Sequence, residues 1–213
     1  MSEPEILNRV LNSVVTLSTR EIIRACQDAV NAGVAPHRIV DQIGRGAESV
    51  GKKYENGEYF LSELVMAGEV MKEGMRVVEP HLRIGDVKRI GKVAIGTVRG
   101  DIHDIGKNIV AMLLRAANFE VADLGSDVPP GKFVETARAA EPQIIGMSSL
   151  LSTTMQEMDN VVRDLERAKL RERVKIIIGG NPVTDDFAKK IRADAYGKDA
   201  VMGIKICKNW VQG

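Results

Sequence analysis

Aromatic side chains are scarce in this sequence: four Phe, three Tyr and one Trp among 213 residues. Its cores must therefore be built from aliphatic side chains and nine methionines. Cysteine is scarcer still, and Cys26 and Cys207 stand far apart with no metal-ligand spacing. They read as two reduced thiols in a cytosolic protein. Excess charge is also missing, because 30 basic residues face 29 acidic ones. No field then favours nucleic acid or an anionic membrane. Neither a signal peptide nor a run of ~20 apolar residues appears. These absences lead us to expect a soluble, cytoplasmic protein that partners neither nucleic acid nor membrane.

What is present divides into two halves with different periods. Residues 1–84 carry helical periodicity alone. "PEILNRVLNSVVTL" aligns Ile6, Leu7, Val10, Leu11, Val14 and Val15 in one stripe. "TREIIRACQDAVNAG" repeats the pattern through Ile22, Ile23, Cys26, Ala29 and Val30, with Gly33 as its stop. Pro36 suits a first helical position and opens "PHRIVDQIGRGAESVGKKY". A fourth stretch starts near Ser62 and must end about Pro80. Four helices with short loops read as a small bundle. After "HLRIGDVKRIGK" short aliphatic runs alternate with amphipathic stretches: "KVAIGTV", "NFEVADLG", "PQIIGMSS", "VKIIIGG" and "DAYG". Helices are expected near 106–117, 131–140, 154–168, 184–192 and 198–209. Five β–α repeats with nearly continuous apolar strands imply an α/β domain whose parallel sheet is covered on both faces. The boundary falls near 83–91. Right-handed crossovers make the flavodoxin-like strand order 2-1-3-4-5 the economical choice.

That order puts a topological switch between strands 1 and 3, so ligands bind beyond their carboxyl ends. Strand 1 ends at "VRGDIHDIG", where His103 follows Asp101 by two residues and precedes Gly106 by three. Strand 3 ends at "SSLLSTT", residues 148–154, a run of hydroxyls. Strand 4 ends at "IIGGNP", where Gly179 and Gly180 let a ligand approach the backbone. A phosphate loop would need more glycines and a Lys before Ser or Thr. A phospho-acceptor receiver domain of this topology would need an aspartate where Ser148 and Ser149 stand. Zinc would need further ligands, yet His37 and His81 lie in the helical half. Nucleophilic catalysis would need a Ser or Cys placed beside the imidazole, which a sequence does not show. A single histidine ligand to a metal fits better. Such a ligand wants its other ring nitrogen held by a carboxylate, which Asp101 can supply. An isolated Asp-x-His in a turn also reads as a local hydrogen bond; the neighbouring strand ends favour the ligand.

These residues resemble the cobalamin-binding domain family, whose motif is Asp-x-His-x-x-Gly, then Ser-x-Leu, then Gly-Gly. Here the parts are Asp101-Ile102-His103-Asp104-Ile105-Gly106, Ser148-Ser149-Leu150 and Gly179-Gly180. The longer string "GDIHDIGKNIV", beginning at Gly100, is similar to the methyl-carrying branch. That branch includes methionine synthase and the corrinoid proteins of anaerobic methyltransferase systems, and the helical half resembles its cap. The resemblance implies a helical bundle cap over 1–84 and a Rossmann-like cobalamin-binding domain over 90–213. It also implies that His103 replaces the cofactor's benzimidazole as lower axial ligand of cobalt (base-off, His-on), with Asp101 on its other nitrogen. The displaced nucleotide tail would run between the hydroxyl run, including Ser152 and Thr153, and Gly179-Gly180, bordered by the backbone at Gly197. The serine that completes the methionine synthase relay matches Thr154, which keeps the hydroxyl and adds a methyl. In the cap, "KYENGEYFL" resembles the stretch that shields the upper corrin face. Tyr54 stands there for a Phe of the methionine synthase cap, and Leu61 for its Leu. Met66, Met71 and Met75 read as core filling.

The function implied by the resemblance is a methyl carrier within a multi-component methyltransferase system, not a complete enzyme. Donors served by similar carriers are methanol, methylamines, methoxylated aromatics and betaines; acceptors are tetrahydrofolate or a thiol. At 213 residues the chain leaves no room for the donor-specific methyltransferase, the acceptor methyltransferase or the reductive activator, which are expected as partners. Two alternatives stand beside it. The small subunit of an adenosylcobalamin mutase shares the His motif but needs no shielding cap. A cobalamin-dependent regulator needs a DNA-binding domain, for which residues 1–20 are too short and too weakly basic. Asp101→Asn is expected to leave corrinoid binding largely intact. Gly85 and Gly91 of the connector are expected to act as hinges.

Overall fold

Two compact units make up the chain: Met1–Lys88 with Ala116–Asn118, and Arg89–Arg115 with Phe119–Gly213. The structure, a computed structural model, describes residues 1–82 and 89–212. In the first unit, α1 (Glu3–Val15), α2 (Thr19–Asn31), α3 (Pro36–Glu55) and α4 (Leu61–Val78) form the helical part, followed by a 3-10 turn, Glu79–His81. Local chemistry sets their ends. The Ser2 N–H donates to Glu5 at 2.7 Å to open α1, and the Ser18 hydroxyl accepts from the Glu21 N–H at 3.3 Å to open α2. Pro36 begins α3, as expected. Each helix turns an aliphatic face inward, so Val10, Ile22, Ile39, Ile43 and Leu64 are all buried. The methionines divide. Met71 is buried and Met75 half-buried. Met66 is 50% exposed beside exposed Phe60, Leu61 and Val65, which corrects the expectation that it fills the core. It lies on the solvent side of α4 because Leu64, Ala67 and Met71 take the inner face.

The second unit holds β1 (Gly91–Thr97), α5 (Ile105–Ala116), β2 (Phe119–Asp123), α6 (Pro130–Ala140), β3 (Ile144–Ser148), α7 (Met155–Arg167), β4 (Lys175–Gly179), α8 (Asp185–Lys190), β5 (Ala195–Gly197) and α9 (Ala200–Gln212). The strands pair in parallel in the order β2-β1-β3-β4-β5. The central strands β1 and β3 are the most buried, and the edge strands β2 and β5 are only partly so. Such burial is why central strands read as unbroken apolar runs. Val98, Phe133, Met147, Met158, Leu165 and Ile176 anchor the core on the α6–α7 side. The hinge expectation is corrected at Gly91, which opens β1 and pairs with Phe119, so the sheet fixes its backbone. Gly85 lies outside the described residues. Among the described residues no helix is long and apolar enough to cross a membrane.

Candidate functional site

The turn that leaves β1 is fastened at several points. The Asp101 N–H donates to the Val98 carbonyl at 3.2 Å, and the Asp127 N–H donates to the Asp101 carbonyl at 2.9 Å. The Gly100 N–H donates to the Asp127 carboxylate at 2.7 Å. Gly100 itself has φ +80°, a left-handed conformation that glycine adopts without strain. A Cβ there would stand 3.3 Å from the Thr154 methyl.

Asp101 is the centre of the arrangement. Its side chain is fully buried, yet both carboxylate oxygens are hydrogen-bonded. Oδ1 accepts from the His103 N–H at 3.0 Å and from His103 Nδ1 at 2.8 Å. Oδ2 accepts from the Leu150 N–H at 2.7 Å, the Leu151 N–H at 3.2 Å and the Thr154 hydroxyl at 3.0 Å. Burial alone would raise its pKa. The donors from His103, Leu150 and Thr154 outweigh that and hold the carboxyl well below the usual carboxylate range. An ionised carboxylate only accepts, so the network assigns the ring proton of neutral His103 to Nδ1. The Nε2 lone pair is then bare, on a side chain that is 48% exposed. This is the donor geometry of a metal-ligating imidazole. Among the described residues no group of three or more His, Cys, Asp or Glu could hold a metal ion.

The hydroxyl run contributes through two residues. Thr154 Oγ1 lies 2.7 Å from Ser149 Oγ. With Thr154 donating to Asp101, Ser149 donates to Thr154, which gives a line Ser149–Thr154–Asp101–His103. Both hydroxyls are buried, so the line ends inside the protein and not at its surface. Ser148 has its carbonyl on the Val98 N–H at 3.1 Å. Ser152 and Thr153 are exposed beyond the strand end. Around His103 lie apolar side chains left in the open: Ile102 is 75% exposed and Ile105 70%. Leu150 and Leu151 are exposed as well. Asp104 is exposed and its carbonyl takes the Asn108 N–H at 2.7 Å to start α5.

The glycines separate by cause. At Gly180, φ is +126° and a Cβ would lie 1.8 Å from the Ser149 carbonyl oxygen, so internal packing alone demands glycine. Gly179 is similarly tight, with the Gly197 carbonyl 3.1 Å from its Cβ position. At Gly106 a Cβ would meet nothing within 4 Å. The fold does not require glycine there.

Tyr54 is half-buried at the end of α3 and Leu61 exposed at the start of α4, both in the first unit. Sequence reasoning missed Ser149 as a participant, the Leu151 amide, Asp127 and the ion pair of buried Lys107 with Asp123 at 2.7 Å. Only Ser149 had a signal, its place in the hydroxyl run.

Comparisons with known proteins identify the family. A B12 binding domain family matches residues 91–205, and a second B12 binding domain family matches residues 6–79. Trimethylamine corrinoid protein 1 of Methanosarcina acetivorans is 40% identical over 202 residues, 93% of this chain and 94% of its own length. Dimethylamine corrinoid protein 3 of the same organism is 38% identical over 92% of each chain. Among solved structures, the methanol:cobalamin methyltransferase complex of Methanosarcina barkeri matches at TM-score 0.86 and 28% identity, covering 98% of this chain and 80% of that one. A cobalamin-binding protein of Desulfitobacterium hafniense matches at TM-score 0.78 and 33% identity, covering 96% and 98%. With both halves matched and relatives this similar along their whole length, the chain belongs to the B12-binding family and its cofactor is a cobalamin-type corrinoid.

Proposed function

We propose that this protein is the methyl-carrying corrinoid component of a methyltransferase system whose donor is a methylated amine. The residues present fit the cofactor. His103 offers one bare nitrogen, held in the correct tautomer by a buried carboxylate at 2.8 Å. Exposed Ile102, Ile105 and Leu150 offer the apolar surface that a corrin ring covers. When bound, the corrinoid supplies a cobalt centre that takes a methyl group from the donor and gives it to a nucleophilic acceptor. His103 would hold the cobalt through Nε2. Asp101 keeps the proton on Nδ1 and steadies the ring; Thr154 and Ser149 keep Asp101 ionised and oriented. We assign the hydroxyls of Ser152 and Thr153, with the backbone of Gly179, Gly180 and Gly197, to the path of the nucleotide tail. In the first unit, Leu61 and Tyr54 are assigned to shielding, in keeping with the open apolar side chains at the start of α4.

Support for an amine donor comes from the trimethylamine and dimethylamine corrinoid proteins that this chain resembles over more than nine-tenths of its length. A donor-specific methyltransferase, an acceptor methyltransferase using tetrahydrofolate or a thiol, and a reductive activator complete the system, all in the cytoplasm. The observation that carries the reading is the His103 ring, tied at Nδ1 and bare at Nε2. The test supplies protein loaded with cobalamin chemically reduced to cobalt(I), together with methylamine and methanol methyltransferases and carbon-13 methyl donors, then follows label retained with the protein. Label from tri-, di- or monomethylamine is expected. Label from methanol alone would reject the amine donor, and none from any donor would reject the carrier.

A further inference from the structure

Thr97, the last residue of β1, is fully buried. A buried, β-branched strand position is ordinarily served by valine, which has the same shape without a polar atom to satisfy. The Thr97 hydroxyl spends its proton on one acceptor, the His103 carbonyl, at 3.1 Å. The residue that makes this reach is itself held. Its N–H donates to the Gly125 carbonyl at 3.0 Å, and its carbonyl accepts from the Val128 N–H at 3.0 Å. Gly125 donates its own N–H to Asp123 at 3.0 Å, and Asp123 accepts from Lys107 Nζ at 2.7 and 2.8 Å. Lys107 sits in the first turn of α5, four residues past His103, and is 3% exposed. A buried cation opposes the dipole at a helix N-terminus, so its placement is explained by the grip on Asp123 and not by helix stability. The path therefore closes on itself: His103 carbonyl, Thr97, Gly125, Asp123, Lys107 and back along α5.

We propose that Thr97 is a positioning residue for the cofactor ligand, holding His103 by its carbonyl while Asp101 holds it by N–H and ring. This rests on the assignment of His103 as the cobalt ligand. Asp101 alone grips one side of the residue and leaves the following peptide free to pivot. The hydroxyl stops that pivot. With both grips made, Nε2 is the one polar atom of His103 without a partner among the described residues, and its direction is set before any cofactor arrives. Ligand groups work when they are held to within about 0.5 Å of productive geometry.

The test uses the full chain without cofactor, followed by cobalamin. Carbon-13 and nitrogen-15 spectra report the His103 carbonyl shift and the separation of the two ring nitrogens. Thr97→Val is expected to move the carbonyl shift and draw the ring-nitrogen shifts together, as the ring loses its single pose. Thr97→Ser, which keeps the hydroxyl, should match the parent. Added cobalamin should bind Thr97→Val about tenfold more weakly, within the range found for partners that orient metal ligands. Unchanged His103 shifts in Thr97→Val, or equal disturbance in Thr97→Ser, would overturn the proposal. Should Thr97→Val not fold, the parent decides: its Thr97 hydroxyl proton should be protected from exchange and close to His103, and free exchange overturns the idea. If the parent holds cobalamin without imidazole ligation, the functional reading fails instead, while the cofactor-free spectra still judge Thr97.

Discussion

Asparagine cannot replace Asp101 without leaving a donor facing a donor. One end of the side chain must present its NH2 either to the Leu150 and Leu151 amides or to the His103 amide and ring. The milder choice turns it toward His103, where the ring can answer by moving its proton to Nε2. In that tautomer Nε2 carries the proton, so ligation through Nε2 requires moving it back. Asp101→Asn is thus expected to cost the cofactor-free protein about 2–3 kcal/mol, the range for a buried unsatisfied group, read by urea denaturation. It should also switch the His103 tautomer in nitrogen-15 spectra. A variant as stable as the parent with its proton still on Nδ1 would contradict this. Thr154→Val should be milder, about 1 kcal/mol. Ser149 can turn its proton to the Leu151 carbonyl at 3.0 Å, and Oδ2 keeps both amides. Equal losses in the two variants would show that Asp101 does not anchor the network. Asp101, His103 and Thr154 were legible because their roles sit in a short motif at strand ends. Ser149, Asp127 and Thr97 were not, because each acts through a contact that only the folded sheet creates.

Single elements show how partial that legibility was. Periodicity located the helices of both units because each buries one aliphatic stripe. It overran α8, expected near 184–192 and found over Asp185–Lys190. It also read Gly91 as a hinge, since nothing local reveals pairing with Phe119. Nothing local marks Lys107, which clamps α5 to the end of β2. Lys107→Met should cost about 3 kcal/mol, the lower end for breaking a buried pair, because the Asp123 side chain is 25% exposed to water. Adding Asp123→Asn should recover part of the loss, since Oδ1 still accepts from Gly125 while no unpaired charge remains. No recovery in urea melts would mean the pair is not acting as a charge pair. The buried thiols give a pH test. Burial pushes Cys26 in α2 and Cys207 in α9 up to about 12. Their folded values are raised, so the stability tied to the neutral thiols is complete below the ordinary value near 9. It falls as pH climbs from there towards about 12, by at most about 1.4 kcal/mol per pH unit for each thiol. Cys26→Ala should flatten the alkaline loss relative to the parent, and identical slopes would show that Cys26 does not contribute.

For the molecule as a whole, the division of labour between its units can be tested by separating them. Every partner described for His103 and Asp101 lies within residues 97–154, inside the second unit. A fragment beginning at residue 89 is therefore expected to take up cobalamin with imidazole ligation. Nitrogen-15 histidine should alter the hyperfine lines of its cobalt(II) spectrum. The fragment should nevertheless melt lower. Ala116–Asn118, the last residue of α5 and the two before β2, belong to the first unit, and Asn118 holds a left-handed φ of 67° with its buried Oδ1 unpartnered. Without residues 1–88 that turn loses its surroundings, at a cost of about 1–2 kcal/mol, or roughly 5–10 °C for a domain of this size. The first unit should matter for protection instead of affinity. Leu61 is 55% exposed, so Leu61→Ala is expected to change stability by less than about 0.5 kcal/mol, whereas half-buried Tyr54 will cost more. In the full chain loaded with methylcobalamin, Leu61→Ala should hasten loss of the carbon–cobalt bond to light while affinity stays near that of the parent. Photolysis as slow as the parent's, in a variant that binds normally, would remove Leu61 from the shielding role. A folded fragment that binds no cobalamin would show that the second unit does not hold the cofactor by itself.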